Sequence, residues 1–317
     1  MSVFTPVSAA ELEAFLRGFD LGRLIDYSGI AGGAENSNFF VTTERGEYVL
    51  TLIERGSVDE LPFMVALLDH LHQAGLPVPY ALRDRQGEAL HRLNGRPALL
   101  QPRLPGRHPG EVDASHCHAL GQMLARLHLE TEGTDLQRRS DRGLDWMAEQ
   151  ASALQARSDE EARLLLGELL PMVERLRARR PALPEAVLHA DLFRDNVLFE
   201  GHHLTGLIDF HNAFRGWALY DVAICVNDWA LAEQGGLDGR RAEALLAGYA
   251  AVRRFTALEA ELWPDLLRVA ALRFWLSRQL AAEQHAGQSG VLIKDPQHFR
   301  ALLVHHRQVT VGLPLAL

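Results

Sequence analysis

The chain has 317 residues, of which 47% are hydrophobic and 23% are charged, as in folded globular proteins rather than disordered or fibrous ones. Its formal net charge of −9 does not favour nucleic acid or an anionic membrane as a partner. Two distant cysteines, Cys117 and Cys225, argue against a disulfide framework and favour a reducing compartment such as the cytoplasm. The sequence shows neither a signal-peptide pattern at the N-terminus nor an apolar run long enough to span a membrane.

The first hundred residues are predicted to form a small antiparallel sheet with one long helix. Ser8 and Glu11 have capping-box spacing before a short helix. Ser57 repeats that spacing before a longer helix, which is predicted to end at Gly75. Runs of β-forming residues follow one another, and Asn94-Gly95 between two of them is a strong signal for a hairpin. The predicted strands are residues 24–30, 39–43, 48–53, 89–93 and 97–101.

The rest of the chain is predicted to be mainly helical. A Pro-rich and Gly-containing segment, residues 102–106, has the composition of a hinge. Beyond it, apolar residues recur at helical spacing, and Ser158 with Glu161 forms a third capping-box pattern. The predicted helices include residues 112–130, 219–231, 240–251 and 258–282. These patterns together predict an α+β fold with two lobes, residues 1–103 and 104–317.

The most informative pattern is a histidine, an aspartate and an asparagine at fixed spacing, followed by a second aspartate. Phosphoryl transfer needs a carboxylate that accepts the proton of the attacking hydroxyl. It also needs an amide oxygen and a carboxylate that hold Mg²⁺ against the nucleotide phosphates. We predict that Asp191 is the base, that Asn196 and Asp209 bind Mg²⁺, and that His189 fixes the loop. Each residue alone could be a turn residue, but all three in order favour a kinase.

A turn-rich segment between the first two predicted strands contains Gly32 and Gly33. Glycines at such a turn allow backbone N–H groups to approach a phosphate closely. Two glycines in a hairpin are also common as a simple turn, so the pattern leaves both interpretations open. We include both glycines among the predicted nucleotide-binding residues.

The motif region and its surroundings resemble the aminoglycoside phosphotransferase-like kinases. The resemblance lies in residues 189–199, 207–210 and 220–223, with support from the hinge and from residues 120–128. It covers nearly the whole chain and implies a protein-kinase-like fold, with a small antiparallel-sheet N-lobe and a mainly helical C-lobe. It also implies ATP and Mg²⁺ as cofactors. The nucleotide would bind the N-lobe, with adenine near Gln101, Arg103 and Leu104, and the C-lobe would be catalytic and bind the acceptor.

More narrowly, residues 34–41, 48–53 and 208–213 resemble the bacterial homoserine kinases built on this fold. That resemblance implies O-phosphorylation of L-homoserine in threonine biosynthesis. One departure concerns a lysine that relatives carry on the third strand, paired with a glutamate on the next helix. Thr51 occupies the first position and Met64 lies near the second, so both charges are missing together. The only lysine of the chain is Lys294, near the C-terminus, and it is not expected to replace the strand lysine.

Two other functions remain open from the sequence. The chain could be a kinase of the same fold that acts on choline, an aminoglycoside or a sugar, or a nucleotide-binding pseudokinase without turnover. A homoserine site should offer a carboxylate for the ammonium group and an arginine for the carboxylate of the substrate. By position alone, the candidate acceptor-binding residues are Arg194, Arg215, Asn227 and Asp228.

Overall fold

The computed structural model describes residues 4–30, 36–54, 56–232, 235–284, 294–308 and 311–315. The chain divides into two compact units. The first comprises the residues up to Pro105 together with Gly206–Ile208, and the second comprises Gly106–Thr205 and most of the residues after Asp209. None of the helices in the described residues is both long and apolar enough to cross a membrane.

The first unit contains the predicted antiparallel sheet of five strands, β1 (Leu24–Gly29), β2 (Ser37–Thr43), β3 (Gly46–Leu52), β4 (His91–Leu93) and β5 (Arg96–Pro102). Their order across the sheet is β1-β2-β3-β5-β4. Burial alternates along β2, where Phe39 and Val41 point into a core shared with Leu12 and Leu16 of the first helix. Asn94 and Gly95 both have positive φ, 50° and 77°, as the predicted tight hairpin requires. The α-helices of this unit are α1 (Ala9–Leu16) and α2 (Leu61–Gln73).

The second unit is mainly helical and carries short strands around the motif region. In chain order its helices are α3 (Ala114–Thr131), α4 (Leu144–Gln155), α5 (Glu160–Arg179), α6 (Ala218–Trp229), α7 (Gly239–Ala250), α8 (Ala257–Gln284) and α9 (Gln297–His305). Its strands are β6 (Glu185–Leu188), β7 (Val197–Glu200), the first three residues of β8 (His203–Leu207) and β9 (Phe214–Trp217). The α+β class with an antiparallel sheet is thus confirmed.

Helices α3 and α7 lie unusually close together because glycines face each other's backbones. A Cβ atom on Gly121 would lie 2.1 Å from the carbonyl oxygen of Leu245, and one on Gly248 would lie 2.2 Å from that of His118. Neither position tolerates a larger residue without a backbone shift. The close contact brings His128 of α3 and Tyr249 of α7 within hydrogen-bond distance, 2.8 Å from Nδ1 to the hydroxyl oxygen.

Candidate active site

The segment that carries the predicted base follows β6, which pairs with β9 in antiparallel register. Immediately before Asp191, the backbone turns at Ala190, whose φ of 64° is rare for a residue with a side chain. Asp221, in the first turn of α6, holds this turn in place. Its Oδ2 accepts from the backbone N–H of His189 at 2.8 Å, and its Oδ1 accepts from that of Ala190 at 2.9 Å. The strained turn is therefore stabilised by one buried carboxylate.

Asp221 is fully buried and lies at the end of a hydrogen-bonded chain. Oδ2 of Asp221 is 3.2 Å from Nε2 of His128, whose other ring nitrogen contacts the Tyr249 hydroxyl. Burial alone would raise the pKa of Asp221, but the hydrogen bond and charge of His128 outweigh it and lower that pKa. Asp221 is thus a structural anion, and it acts through the backbone of the motif loop.

Asp191 is partly exposed, and its main chain is fixed from two sides. Its carbonyl oxygen accepts from the backbone N–H of Phe193 and from the side-chain amide of Asn196, both at 2.8 Å. Its carboxylate accepts a longer hydrogen bond, 3.3 Å, from Nδ2 of Asn212. These contacts hold the carboxylate in one place while leaving part of it accessible, as a general base requires.

The surroundings of Asp191 disfavour its charged form. Burial raises its pKa to about 7, the charge of Arg273 opposes this rise, and the charge of Asp209 adds to it. A carboxylate that titrates near neutral pH is a stronger base than an ordinary aspartate. It therefore combines ionisation near neutral pH with useful proton affinity.

Asn196 and Asp209 have the chemistry that a hard divalent cation needs. The Nδ2 of Asn196 is engaged by the Asp191 carbonyl, so its Oδ1 is the atom left for a ligand. Asp209 is exposed, with φ of 66°, and its carboxylate accepts no hydrogen bond from any described residue. Because oxygen donors of this kind suit Mg²⁺, the residues present fit the predicted ion. Asn212, three residues after Asp209, donates to the Asp191 carboxylate, which brings the segment that carries Asp209 next to Asp191.

His189 is fully buried, and its ring lies 4.5 Å from that of Phe210, measured between centroids. This packing supports the predicted role of His189 in fixing the loop, which stays a prediction. Phe210 begins the single 3₁₀ turn that follows Asp209. Packing of His189 on Phe210 joins the two halves of the motif.

The predicted nucleotide-binding residues lie in the first unit or outside the described residues. Gly32 and Gly33 fall outside them. Gln101 on β5 donates its side-chain amide to the carbonyl of Pro79 at 2.8 Å. Arg103 is 3.4 Å from a carboxylate oxygen of Glu47, and Leu104 is partly buried. The assignment of these residues to the nucleotide stays a prediction.

Of the predicted acceptor-binding residues, two use their side chains within the fold. The guanidinium of Arg215 donates to three backbone carbonyls, those of Thr131, Thr134 and Leu136. Asn227 is buried on α6 and bonds to the carbonyl of Leu267 and to the ring of His306. These contacts use both polar atoms of Asn227 and two of the three guanidinium nitrogens of Arg215.

The other two candidates pair with each other beside the motif loop. Oδ2 of Asp228 accepts from the backbone N–H of Arg194 at 2.9 Å and from its Nε at 3.3 Å. Asp228 therefore supports the turn that carries Asn196. Whether any of the four candidates contacts the acceptor stays a prediction.

Three residues near Asp191 were not predicted from the sequence. Asn212 contacts the carboxylate, and Arg138 clamps the loop after Asp209 by donating to the carbonyls of His211 at 2.6 Å and Ala213 at 2.8 Å. Arg273, on α8, is only 5% exposed and influences the charge of Asp191. Asn212 follows Asp209 by three residues, a spacing that could have drawn attention to it. For the two arginines the sequence carries no such signal.

Comparisons with known proteins show which family and fold the chain shares. The model of the phosphotransferase enzyme family matches residues 26–255. A homoserine kinase of Pseudomonas aeruginosa is 61% identical over 317 residues, all of both chains, and one of Methylobacillus flagellatus is 43% identical, covering 96% of this chain and 95% of its own. Among solved structures, an amicoumacin kinase in complex with AMP-PNP and Ca²⁺ superposes with a TM-score of 0.68 at 17% identity, over 94% of this chain and 92% of the other. An aminopropanol kinase gives 0.67 at 18%, over 90% and 100%. The protein-kinase-like fold is thereby confirmed. The chain shares 61% identity over its full length with a homoserine kinase, and it belongs to the phosphotransferase enzyme family.

Proposed function

We propose that this chain transfers the γ-phosphoryl group of ATP to the hydroxyl of L-homoserine, forming O-phospho-L-homoserine and ADP in threonine biosynthesis. The observation that carries the proposal is the identity of 61% over full length to a homoserine kinase. The site supports it, because the proposed base Asp191 lies close to the amide of Asn196 and to the carboxylate of Asp209. The two free, buried cysteines support a cytoplasmic location.

In the proposed reaction, the homoserine oxygen forms a bond to the γ-phosphorus while the bond to the β,γ-bridging oxygen breaks. The hydroxyl proton passes to the Asp191 carboxylate. Because a primary alcohol has a pKa of about 16, close to that of water, Asp191 accepts the proton late rather than beforehand. Its main-chain and side-chain contacts to Asn196 and Asn212 orient the carboxylate for that step.

We propose Asn196 and Asp209 as the protein ligands of Mg²⁺. When bound there, the ion would neutralise negative charge on the nucleotide phosphates. Nucleotide binding by the first unit is assigned to the predicted residues Gly32, Gly33, Gln101, Arg103 and Leu104. The third-strand position holds Thr51, which is buried and donates to Oδ1 of Asn38 at 2.7 Å. No cationic side chain is available at that position to contact the phosphates.

One assay tests the proposal against the other two functions. Purified protein with ATP and Mg²⁺ is given L-homoserine, L-serine, choline and an aminoglycoside separately, and ADP release is followed. We expect turnover with homoserine at least about tenfold above each of the others. Turnover only with another acceptor would replace the substrate, and nucleotide binding without turnover on any acceptor would indicate a pseudokinase.

The variant Asp191→Asn tests the role of Asp191, because it preserves the shape of the side chain and removes the base. We expect this variant to retain ATP binding and to lose at least about 100-fold in kcat. Turnover within a few-fold of the parent protein would remove Asp191 from the role of base.

A further inference from the structure

Arg273 is a buried cation whose guanidinium has no anionic partner among the described residues. The residue is 5% exposed, and its side chain neither donates a hydrogen bond nor forms an ion pair within the described part of the chain. Its guanidinium carbon lies 4.0 Å from the centroid of the Phe274 ring. Buried arginines are normally paired, because removing an unpaired charge from water is costly.

A second buried arginine shows how the fold treats such a group when no ligand is involved. Arg253 has a side chain that is 9% exposed, and it lies 3.0 Å from a carboxylate oxygen of the fully buried Glu259. Both of its terminal nitrogens donate to that carboxylate. Arg273 offers the same five donors without an equivalent acceptor. An external anion bound at Arg273 would supply the missing acceptor.

The position of Arg273 ties that anion to the catalytic loop. The ring of Phe274 lies 4.6 Å from that of Phe193, and the backbone N–H of Phe193 donates to the carbonyl of Asp191. The charge of Arg273 also acts on Asp191 and on the buried Tyr220. The guanidinium therefore belongs to the surroundings of the base, although it lies more than 80 residues further along the chain.

We propose that Arg273 binds the α-carboxylate of the acceptor and so selects amino-acid alcohols over alcohols that lack a carboxylate. The proposal rests on the function proposed above and assigns a specificity-determining residue to it. A planar guanidinium matches a carboxylate through two parallel hydrogen bonds. In homoserine the hydroxyl oxygen and the carboxyl carbon are separated by about 5 Å at most, from ordinary bond lengths. The proposal therefore requires that Arg273 hold the carboxylate within about that distance of a hydroxyl at Asp191.

The test compares L-homoserine with 3-aminopropan-1-ol, which is the same molecule without its carboxylate. With the parent protein we expect kcat/KM to be at least about 100-fold higher for homoserine. In Arg273→Gln we expect kcat/KM for homoserine to fall by about that factor. The value for aminopropanol should stay within about threefold, so the preference collapses. Assays at about pH 9 keep Asp191 ionised whether or not the arginine is present.

Arg268→Gln is the matched control, because Arg268 lies on the same helix but donates to the backbone carbonyl of His306 at 3.0 Å. It should leave the preference for homoserine unchanged. Arg273→Lys keeps the charge and loses the planar fork, and we expect an intermediate preference. Melting curves and ATP binding check that each variant folds. If Arg273→Gln does not fold, the comparison is made with Arg273→Lys.

Two results would overturn the proposal. An equal loss for both acceptors in Arg273→Gln would mean that the arginine serves the phosphoryl group or Asp191 rather than a carboxylate. A parent protein without preference for carboxylate-bearing alcohols would overturn it as well. If homoserine is not the substrate, the same comparison is made with pairs of other alcohols that differ in a carboxylate. In that case the proposed function would fail, but the comparison would still test whether Arg273 binds a carboxylate.

Discussion

At Asp191, the requirements of catalysis and of stability oppose each other. Burial raises the pKa of this carboxyl from 3.8 to about 7, with the charge of Arg273 opposing and that of Asp209 reinforcing the shift. The folded protein therefore favours the protonated form of Asp191, whereas the proposed reaction needs the ionised form. Active sites commonly accept such a cost in stability.

The sign of this effect gives a prediction about stability and pH. The stability associated with neutral Asp191 is fully present below pH 3.8, the ordinary value for aspartate, and is lost as the pH rises to about 7. Asp191→Asn should therefore gain stability over the parent protein across that interval and keep a constant gain above it. We expect a gain on the order of 1 kcal/mol or more, with 4 kcal/mol as the limit.

The measurement is chemical denaturation of both proteins at several pH values, without nucleotide or divalent cation. Their free energies of unfolding should coincide near pH 3.8, the ordinary aspartate value, if both remain folded there, and diverge toward neutral pH. A variant that is equally stable at every pH would show that the carboxyl is as well solvated as in water.

Asn212 is the second residue at which a prediction can be made, since its amide donates to the Asp191 carboxylate at 3.3 Å. Without it, the carboxylate loses one of the contacts that orient it toward the hydroxyl. We expect Asn212→Ala to lower kcat about tenfold and to leave KM for ATP within about twofold. Steady-state kinetics test this, with Gln122→Ala on the exposed face of α3 as the control. An unchanged kcat would show that the long hydrogen bond does not position the base.

At the scale of elements, the central feature is the buried chain that joins α3, α6 and α7 to the motif loop. Asp221 on α6 accepts from two backbone N–H groups of that loop and lies beside His128 on α3, which contacts Tyr249 on α7. An ionised carboxylate satisfies all of these partners, whereas a neutral amide has only one accepting oxygen. The arrangement of three helices thus fixes one turn of backbone.

Asp221→Asn should therefore destabilise the protein by about 2–4 kcal/mol and lower kcat, because an N–H of the strained turn would lose its acceptor. The pKa of Asp221 is lowered in the fold, so its contribution is present above the ordinary value of 3.8 and is lost as the pH falls through the lowered value. The difference between the two proteins should consequently narrow in acid. Thermal melts and kinetics measure both effects.

Tyr249→Phe is the comparison for that experiment, since it removes only the far hydroxyl of the chain. We expect it to cost about 1 kcal/mol, the usual value for one hydrogen bond. If Asp221→Asn were no more harmful than Tyr249→Phe, the carboxylate would not be the main support of the turn.

How far local sequence determines an element is shown by the three predicted capping boxes. The first is confirmed, because Ser8 accepts from the N–H of Glu11 and the Glu11 carboxylate accepts from that of Ser8. The second is only partly correct, since Ser57 caps one 3₁₀ turn and α2 begins at Leu61. The Ser57 hydroxyl accepts from the N–H of Asp59, two residues later, and so caps the 3₁₀ turn rather than α2.

The third capping box is wrong because α4 ends just before it. The Ser158 hydroxyl donates to the carbonyl of Leu154 at 2.7 Å, in the last turn of α4. Asp159 instead caps α5 by accepting from the N–H of Ala162. The capping-box pattern considers only the helix that follows it, so it does not reveal a hydrogen bond that the same residue makes to the preceding helix.

The same limit applies to the site. Asp191, Asn196 and Asp209 were predicted because phosphoryl transfer imposes their types and their spacing on one short stretch of chain. Arg273 was not, because an arginine within a long helix looks like any solvated cation in sequence. Its burial follows from the packing of α8 against α6, which no local pattern encodes.

At the scale of the whole molecule, the two units carry different spectroscopic and chemical probes. Both cysteines and all five tryptophans belong to the second unit, which leaves the first without either residue type. Cys117 and Cys225 are buried, and burial raises the pKa of the Cys117 thiol to about 12 and that of Cys225 well above its usual value. Thiol reactivity and tryptophan fluorescence therefore both report on the second unit.

We expect both thiols to react with an aromatic disulfide reagent at least about 100-fold more slowly in the native protein than in denaturant, because reaction requires an accessible thiolate. Across a denaturant series, the onset of labelling should coincide with the change in tryptophan fluorescence. Far-ultraviolet circular dichroism also reports on the sheet of the first unit. Rapid labelling of either thiol in the native state would contradict its burial. Coincident transitions for all three signals would show that the two units unfold cooperatively, since a sheet that melted separately would shift only the dichroism.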